Sequence, residues 1–260
     1  MNELLNLAWD DFLTFLAVFA RIGVIFAVVP FFSAEVIPRR VTAILAVFLG
    51  MVLMPVVPHA AIEPPDMNVM MLGAMLVQQL LVGLAIGLSV SVIFAGIQIA
   101  GELMGFQMGF SIANVVDPMT GVTAPITSNV LYLTGFLLFF SFGGHHMLIK
   151  ALVESFALVP VSGAFPRQAF CVSALAYAAH MFVIGVKVAA PVVCTLLLVN
   201  VAFGVIARAL PQMNVFLMAF PITIAIGLVF VTVVVRLMPA LVEGSLLGAW
   251  GFVKSVLALY

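Results

Sequence analysis

Charge is what this sequence has least of. Only 7% of its 260 residues are charged, whereas 65% are hydrophobic. A soluble domain carries roughly a quarter charged residues, so a soluble globular protein is excluded. The excess apolar surface must therefore face lipid or other apolar protein chains. Nine basic and ten acidic residues leave no basic patch, and this excludes nucleic acid as a partner.

Residue patterns that carry chemistry are also scarce. The two cysteines, Cys171 and Cys194, lie in apolar segments, where we expect small buried side chains instead of a disulfide or a zinc site. The adjacent His145 and His146 point in different directions on a helix, which is poor geometry for one metal ion. Phosphate-binding glycine motifs do not occur in the sequence. We therefore expect no metal, no cofactor and no enzymatic activity.

Long apolar segments dominate what is present. They are rich in Leu, Ala, Met and Phe and are mostly too long for strands, which predicts an all-α fold. Two of them exceed the roughly 20 residues that cross a bilayer. Pro191 and Pro221 fall inside apolar segments and predict kinks, so a simple six-helix transmembrane bundle is not expected. The segments are 12–32, 41–58, 67–101, 126–149, 168–200 and 209–238, followed by a short apolar tail.

Loop charges do not decide the topology of these segments. With six spans, four positive charges fall on one side and three on the other, so the positive-inside rule gives no answer. The first hairpin alone, with acids before it and Arg39 and Arg40 after it, favours an N-terminus outside the cytoplasm. The loop charges counted on the side of the N-terminus are Lys150, Arg167, Arg236 and Lys254, and those counted on the other side are Arg39, Arg40 and Arg208.

Two ladders of small residues at a spacing of four predict helix faces that a neighbouring backbone approaches closely. The first ladder is Gly83, Gly87, Ser91 and Ala95, and the second is Gly101, Gly105, Gly109 and Ala113.

The second ladder opens an unusual run, GELMGFQMGFSIANVVDPMTG, from Gly101 to Gly121. Its Asp-Pro pair should end any helix near Val116. A long connection of glycines, methionines and phenylalanines could form a soft apolar stopper that closes a pore by excluding water. It could equally be a buried crossover loop with structural glycines, and spacing alone leaves both open.

Glu102 is the one acid between Asp66 and Asp117. An intramembrane carboxylate could couple protons to transport in a small-solute secondary transporter. It could also be a helix-end residue bonded to Gln98, to Gln107 or to another chain. A third alternative for the whole protein is a structural assembly nucleus with no moving part.

Four ordered blocks resemble the FliR family of flagellar type III export gate subunits. The central block is GELMGFQMGFSIANVVDP, and GGHHMLIKALVESFALVP follows at 143–160. Departures are small: Ala219 replaces a usual glycine and His146 a usual apolar residue. The flanking blocks consist of Arg21, Pro30, Ile37, Pro38 and Arg40 near the start and of Asn200, Gly204, Arg208, Pro211, Gln212, Asn214, Phe216 and Pro221 near the end.

The resemblance implies one helical subunit over 1–260, with about 1–165 arranged like FliP and about 166–260 like FliQ. It implies an obligate hetero-oligomer with FliP-like and FliQ-like subunits, with FlhB-like and FlhA-like export components, unfolded export substrates and membrane lipid as further partners. The implied location is the bacterial inner membrane at the flagellar basal body, partly above the membrane plane on the periplasmic side. The related virulence gate subunit SctT is an alternative, which the Asp117-Pro118 pair makes less favoured.

The resemblance also implies residue roles. A loop over 106–122 would be a plug in the export pore, with Phe106, Gln107, Met108, Gly109, Phe110, Ile112, Asn114, Val115, Val116, Asp117, Pro118 and Met119 as its candidate residues. Opening would use hinge glycines, for which the candidates are Gly101, Gly105, Gly109 and Gly121. Candidates for structural or interaction roles are Arg21, Pro38, Arg40, Glu102, Asn200, Arg208, Pro211, Gln212 and Pro221.

Overall fold

The computed structural model describes residues 2–33, 37–57, 69–110, 126–159, 167–210, 212 and 215–259. Of these residues 93% are helical and none lies in a strand, so the predicted all-α fold is confirmed. The helices are α1 (Asn2–Val28), α2 (Pro30–Ser33), α3 (Arg39–Leu53) with a 3₁₀ turn at Met54–Val56, α4 (Val69–Gln107), α5 (Ile126–Ser141), α6 (Gly144–Leu158), α7 (Arg167–Ala178), α8 (His180–Ala209) and α9 (Val215–Leu257).

Several predicted segment boundaries are wrong. Residues 126–149 are not one segment, because Gly143 adopts φ +71 and separates α5 from α6. Residues 168–200 are shared between α7 and α8, which meet at Ala179 but lie in line as one apolar span, Ala169–Ala209, as predicted. The expected tail after residue 238 belongs to α9, which continues through Pro239 to Leu257. A proline removes one backbone donor, and a long apolar helix tolerates that loss.

The charges that we counted as loop residues lie in helices. Lys150 is within α6 and Arg236 within α9, where both side chains are exposed. Arg208 and Lys254 occupy the last turns of α8 and α9, where a positive charge favours the helix dipole. Lys150 and Arg236 are therefore not loop residues, and the count of four positive charges against three rested on incorrect loop boundaries.

Five helices, or helix pairs in line, are long and apolar enough to cross a membrane, and the bent pair of α5 and α6 makes six if it counts as one span. Their burial within the chain differs widely. In α4, 67% of the most apolar window is buried, against 22% in α9 and 17% in the span that begins with α3. Thus α4 is the central helix, while α3 and α9 leave most of their apolar surface to be covered by something other than this chain.

The chain divides into two compact units. The first contains residues 1–92, 143–178 and 246–260, and the second contains residues 93–142 and 179–245. In the first unit α1 packs against α3 and against the first part of α4. In the second unit the end of α4 packs against α5, α8 and α9.

The first ladder of small residues receives the backbone of α1, as predicted. A methyl group on Gly83 would lie 2.6 Å from the carbonyl oxygen of Arg21, and one on Gly87 would lie 3.0 Å from Val28 Cβ. One turn further on, Ser91 Oγ donates a 2.7 Å hydrogen bond to the carbonyl oxygen of Val28. Glycine at these positions is therefore what lets α1 and α4 approach so closely.

The second unit uses glycine in the same way between α4 and α8. A methyl group on Gly96 would lie 2.7 Å from Ile184 Cβ, and one on Gly185 would lie 2.8 Å from Ile99 Cγ2. Each of the two helices thus packs an isoleucine against a glycine of the other. This reciprocal contact fixes their register along each other.

Candidate functional site

The end of α4 is closed by a glycine cap. The amide of Phe110 donates to the carbonyl of Gly105 at 3.0 Å, and the amide of Gly109 donates to the carbonyl of Phe106 at 3.1 Å. Gly109 has φ +86, a left-handed conformation. These two bonds and the left-handed glycine make a Schellman motif. The helix therefore ends at Gln107, nine residues before the predicted end near Val116, because the glycine acts before the Asp-Pro pair does.

Met108 sits in a tight seat immediately before the glycine. It is fully buried in the second unit, as is Met104 one turn earlier on α4. The seat is made by the missing side chain of Gly227 on α9, where a methyl group would lie 2.6 Å from Met108 Cγ and closer still to Cε. Any other residue at this point of α9 would require the side chain of Met108 to shift.

Gly109 makes a second contact with α9. A methyl group on it would lie 2.5 Å from the ring atom Cε1 of Phe220, and its positive φ is itself unfavourable for other residues. Met108 and Gly109 are thus both held by α9, about two helical turns apart. The chain that follows starts from a fixed point.

The predicted plug residues divide at this point. Phe106, Gln107, Met108, Gly109 and Phe110 belong to the end of α4 and its cap, and Phe106 is 69% exposed. The remaining candidates lie outside the described residues, so their plug role stays a prediction. They are Ile112, Asn114, Val115, Val116, Asp117, Pro118 and Met119, together with the hinge candidate Gly121.

The structure gives the other predicted hinge glycines a packing environment. Gly101 and Gly105 are helical and buried in α4, so neither belongs to the connection that follows this helix. A methyl group on Gly101 would overlap the backbone of Ser128 on α5. The same contact carries two hydrogen bonds, from Thr127 Oγ1 to the Gly101 carbonyl at 2.8 Å and from Ser128 Oγ to the Gln98 carbonyl at 2.9 Å. Only Gly109 among these three has a left-handed backbone.

The first unit contains a buried cation. Arg21 on α1 is fully buried, and its guanidinium donates to neutral acceptors on two other helices. Its Nε lies 3.0 Å from Gln79 Oε1 on α4, its Nη1 lies 2.7 Å from Ser155 Oγ on α6, and its Nη2 lies 3.2 Å from the carbonyl oxygen of Val159. The Nη2 group also bonds Gln79 Oε1. The planar fork of arginine reaches all three acceptors at once.

An aromatic ring completes this site. The ring of Phe156 lies 3.8 Å below the guanidinium carbon of Arg21, a distance typical of a cation–π contact. Sequence reasoning named Arg21 and quoted Ser155 and Phe156 only as part of the block 143–160, and it missed Gln79. A signal existed, because a buried arginine needs polar partners and Gln79 is a polar residue within an otherwise apolar segment.

The structure does not pair Glu102 with Gln98. Both side chains are exposed on α4, and no hydrogen bond joins them within the described residues. Among those residues no three His, Cys, Asp or Glu side chains cluster as metal ligands would. Cys171 and Cys194 are exposed, so the expectation that they are buried is wrong. They lie on outer faces of α7 and α8, where an apolar sequence does not imply burial within this chain.

The remaining motif residues lie on the surface of the chain. Pro38 and Arg40 begin α3, and both are exposed. Asn200 and Arg208 near the end of α8, Gln212 in the following turn and Pro221 on α9 are exposed as well, whereas Pro211 lies outside the described residues. Such positions suit contacts with other molecules better than a role in the core.

Comparison with known proteins agrees with the motif pattern. Residues 12–248 match the family model described as bacterial export proteins, family 1. A protein of Bacillus subtilis named flagellar biosynthetic protein FliR is 33% identical over 90% of this chain and 88% of its own length. Proteins of the same name from Escherichia coli and Pectobacterium carotovorum are 31% and 34% identical, over 84% and 86% of this chain and 82% and 85% of their own lengths. This chain therefore belongs to family 1 of the bacterial export proteins.

Proposed function

We propose that this chain is a subunit of the flagellar protein export gate in the bacterial inner membrane. In this proposal it forms the entry pore with FliP-like and FliQ-like subunits and works beside FlhB-like and FlhA-like components. The relatives named above are flagellar biosynthetic proteins, which supports the system assigned. The exposed apolar surface of α3 and α9 supports an obligate complex in which partner subunits and lipid share that surface.

The segment that follows Gly109, up to residue 122, closes the pore in this proposal. Its Met and Phe side chains fill the lumen, and unfolded export substrate passes when they move aside. A deformable apolar seal fits many cargo sequences and excludes water and ions when closed. The observation that carries this assignment is the capped end of α4, since Met108 and Gly109 are both held against α9. The seal thereby has a fixed starting point at Met108 and Gly109, which we call its root.

The moving part then begins after Gly109. Gly101 cannot swing without breaking its contact with Ser128, and both Gly101 and Gly105 are inside a continuous helix. Gly109 adopts a conformation that other residues rarely take, so it is the hinge that the geometry favours at this end. Gly121 is the proposed hinge at the other end.

Filling the space that Met108 occupies beside Gly227 tests whether this contact anchors the seal. A Gly227→Ala variant places a methyl group against Met108 Cγ and Cε and should push the methionine out of its seat. We expect a raised ion conductance of membranes that contain the assembled complex. The double variant Gly227→Ala with Met108→Ala should restore the packing of residue 108 against α9, because the smaller side chain removes the overlap. Gly204→Ala, where a methyl group meets nothing within 4 Å, is the matched control.

The result that would contradict the root assignment is a Gly227→Ala complex that assembles normally and conducts ions no more than the control. A complex that does not assemble is resolved by the double variant, which keeps the alanine on α9. If that double variant also fails to assemble, Gly227 serves α9 itself and the assignment to Met108 is wrong.

A small-solute secondary transporter coupled through Glu102 is the alternative that the sequence left open. The exposed position of Glu102 favours the gate, since a coupling carboxylate belongs in a site near the bilayer midplane. We expect Glu102→Gln to leave proton-coupled uptake into vesicles unchanged, because the chain alone should catalyse none. Uptake by the chain alone that Glu102→Gln abolishes would establish the transporter instead.

A further inference from the structure

A cavity lies at the closed end of the first hairpin, between α1 and α3. Its volume is about 640 Å³, within the range of roughly 300–1,000 Å³ that is usual for sites that bind small molecules. Small residues create the space and aromatic rings form its walls. The lining consists of Phe19, Gly23, Phe26 and Ala27 from α1, Phe32 from α2, Ile37 and Pro38 from the turn, and Arg39, Thr42, Ala43 and Ala46 from α3.

The mouth of this cavity is positive. Arg39 lines it, and the exposed Arg40 follows directly at the start of α3. The first turn of α3 contains no acidic residue, and Pro38 supplies no side-chain cap. The uncapped amides at a helix N-terminus and two guanidinium groups together favour a phosphate over any neutral group.

The wall of the cavity contains one residue with an unpaired polar atom, Thr42. The hydroxyl of Thr42 is buried and has no hydrogen-bond partner among the described residues, although the residue lines the cavity. A buried hydroxyl without a hydrogen-bond partner destabilises the fold. An occupant with an oxygen acceptor just inside the mouth would remove that cost.

We propose that this cavity binds one anionic phospholipid, with its phosphate at Arg39 and the start of α3, an ester oxygen at Thr42 and an acyl chain between Phe19, Phe26 and Phe32. The apolar lining matches a hydrocarbon chain, whereas free phosphate would use only the mouth. The cavity is too small to be a docking site for a helix of a partner protein. Such a helix is about 10–12 Å across with its side chains, so this volume would hold less than two of its turns. Basic pockets between apolar helices are typical sites for acidic headgroups.

The test uses the full chain in the complex with which it purifies, reconstituted in bilayers. The probe is phosphatidylglycerol that carries a photoactivatable group near the end of one acyl chain, and labelled peptides are mapped by mass spectrometry. We expect the label to concentrate on residues 19–46. Arg39→Gln should lower that labelling about fivefold, from the roughly 1 kcal/mol that one arginine contributes near an anionic headgroup, and Arg39→Lys should retain most of it.

A second variant fills the cavity without disturbing the backbone. A side chain on Gly23 meets nothing within 4 Å, so Gly23→Leu should occupy the acyl-chain space and abolish labelling of residues 19–46. Gly204→Leu makes the same change at an equally open helical glycine of α8 and should leave that labelling unchanged. Normal co-purification of the complex with both variants would show that the chain still folds.

Four outcomes would overturn the proposal. Equal labelling by photoactivatable phosphatidylcholine would show that the arginines do not select an anionic headgroup. Competition by inorganic phosphate would show an anion site without an acyl chain. Labelling of residues 19–46 that survives Gly23→Leu, or that is no denser than on α8 and α9, would show general contact with lipid instead of a site. None of these readouts depends on export, so they are independent of the gate assignment.

Discussion

At the scale of single residues, the chain places one full positive charge where water does not reach. Arg21 is buried among apolar helices, and the acceptors that its guanidinium reaches are neutral. Desolvation of a charge is costly, so the hydrogen bonds and the ring of Phe156 have to offset it. In return the fork of Arg21 ties α1, α4 and α6 together at one point. We infer that this site sets the arrangement of the first unit.

The Arg21 site makes a quantitative prediction. Arg21→Gln removes the donors for Gln79, Ser155 and the Val159 carbonyl, and leaving a buried acceptor unpaired costs about 1–3 kcal/mol. We expect a lower unfolding temperature of the purified complex and a reduced amount of the chain in membranes. Arg21→Lys should rescue only part, because an ammonium cannot present a planar fork to three acceptors.

The control for this site is Arg236→Gln, which removes an exposed arginine from the apolar helix α9 and should change stability by less than about 0.5 kcal/mol. Equal unfolding temperatures for Arg21→Gln and Arg236→Gln would contradict the proposed role of the buried guanidinium.

The sequence identifies residues with a structural role where those residues break the local pattern. A positive charge in an apolar segment marked Arg21, and repeated small residues marked Gly83 and Gly101. Their partners were not predictable, because Gln79 and Ser155 reach Arg21 across 58 and 134 positions of chain. Gly227 was missed for the same reason. Its importance comes from Met108 on another helix, and nothing beside it in the sequence shows that.

At the scale of helices, α4 serves as the central element of both units. Its first part receives α1 on the ladder that contains Gly83 and Gly87, and its last part receives α5 and α8. The hydrophobic pattern of α4 follows no single face, as expected of a helix that packs against neighbours on several sides. Helix α9 shows the opposite case, since it is as apolar as α4 but mostly uncovered, and α3, although less apolar, is covered even less.

A matched pair of glycines tests the packing of α4. Gly83→Ala would bring a methyl group within 2.6 Å of the Arg21 carbonyl, which is backbone and cannot turn away, so α1 must shift. Overpacking of this kind costs about 1–3 kcal/mol. Gly73→Ala, on the same helix with nothing within 4 Å, should be neutral or stabilise by up to about 1 kcal/mol.

Thermal unfolding of the two purified variants measures this difference directly. An unfolding temperature for Gly83→Ala that equals or exceeds that of Gly73→Ala would show that α1 does not approach α4 as closely as the ladder implies.

Helix type was predictable from composition, but helix ends were not. The absence of strand alternation gave the all-α fold, whereas the prolines and charges that were used as boundaries fell inside helices. Pro239 lies within α9, and Lys150 lies within α6. In an apolar environment a helix keeps its backbone hydrogen bonds internal, and this favours continuation over interruption. The ends that do occur near α4 and α6 are set by glycines with positive φ, Gly109 and Gly143.

At the scale of the whole molecule, the sequence carries more apolar surface than the chain covers. The first expectation was lipid, and the resemblance to export gate subunits divided that surface between lipid and partners. The most apolar window is 67% buried in α4 but only 22% buried in α9. This difference fits a subunit that has a packed core of its own and outer faces that other chains or lipid cover. Family membership came from four motifs in order, which is a more specific signal than hydrophobicity.

The central claim is that the segment after Gly109 seals an export pore. Its most direct test is the ion conductance of membranes that contain the assembled complex with residues 111–118 deleted, while Met104 to Phe110 are kept so that the cap and its seat remain. The control deletes the same number of residues, 59–66, which lie outside the described helices and contain none of the candidate residues. We predict a conductance well above that of the unaltered complex and of the control. A fully assembled deletion complex whose conductance equals that of the unaltered complex would contradict the account.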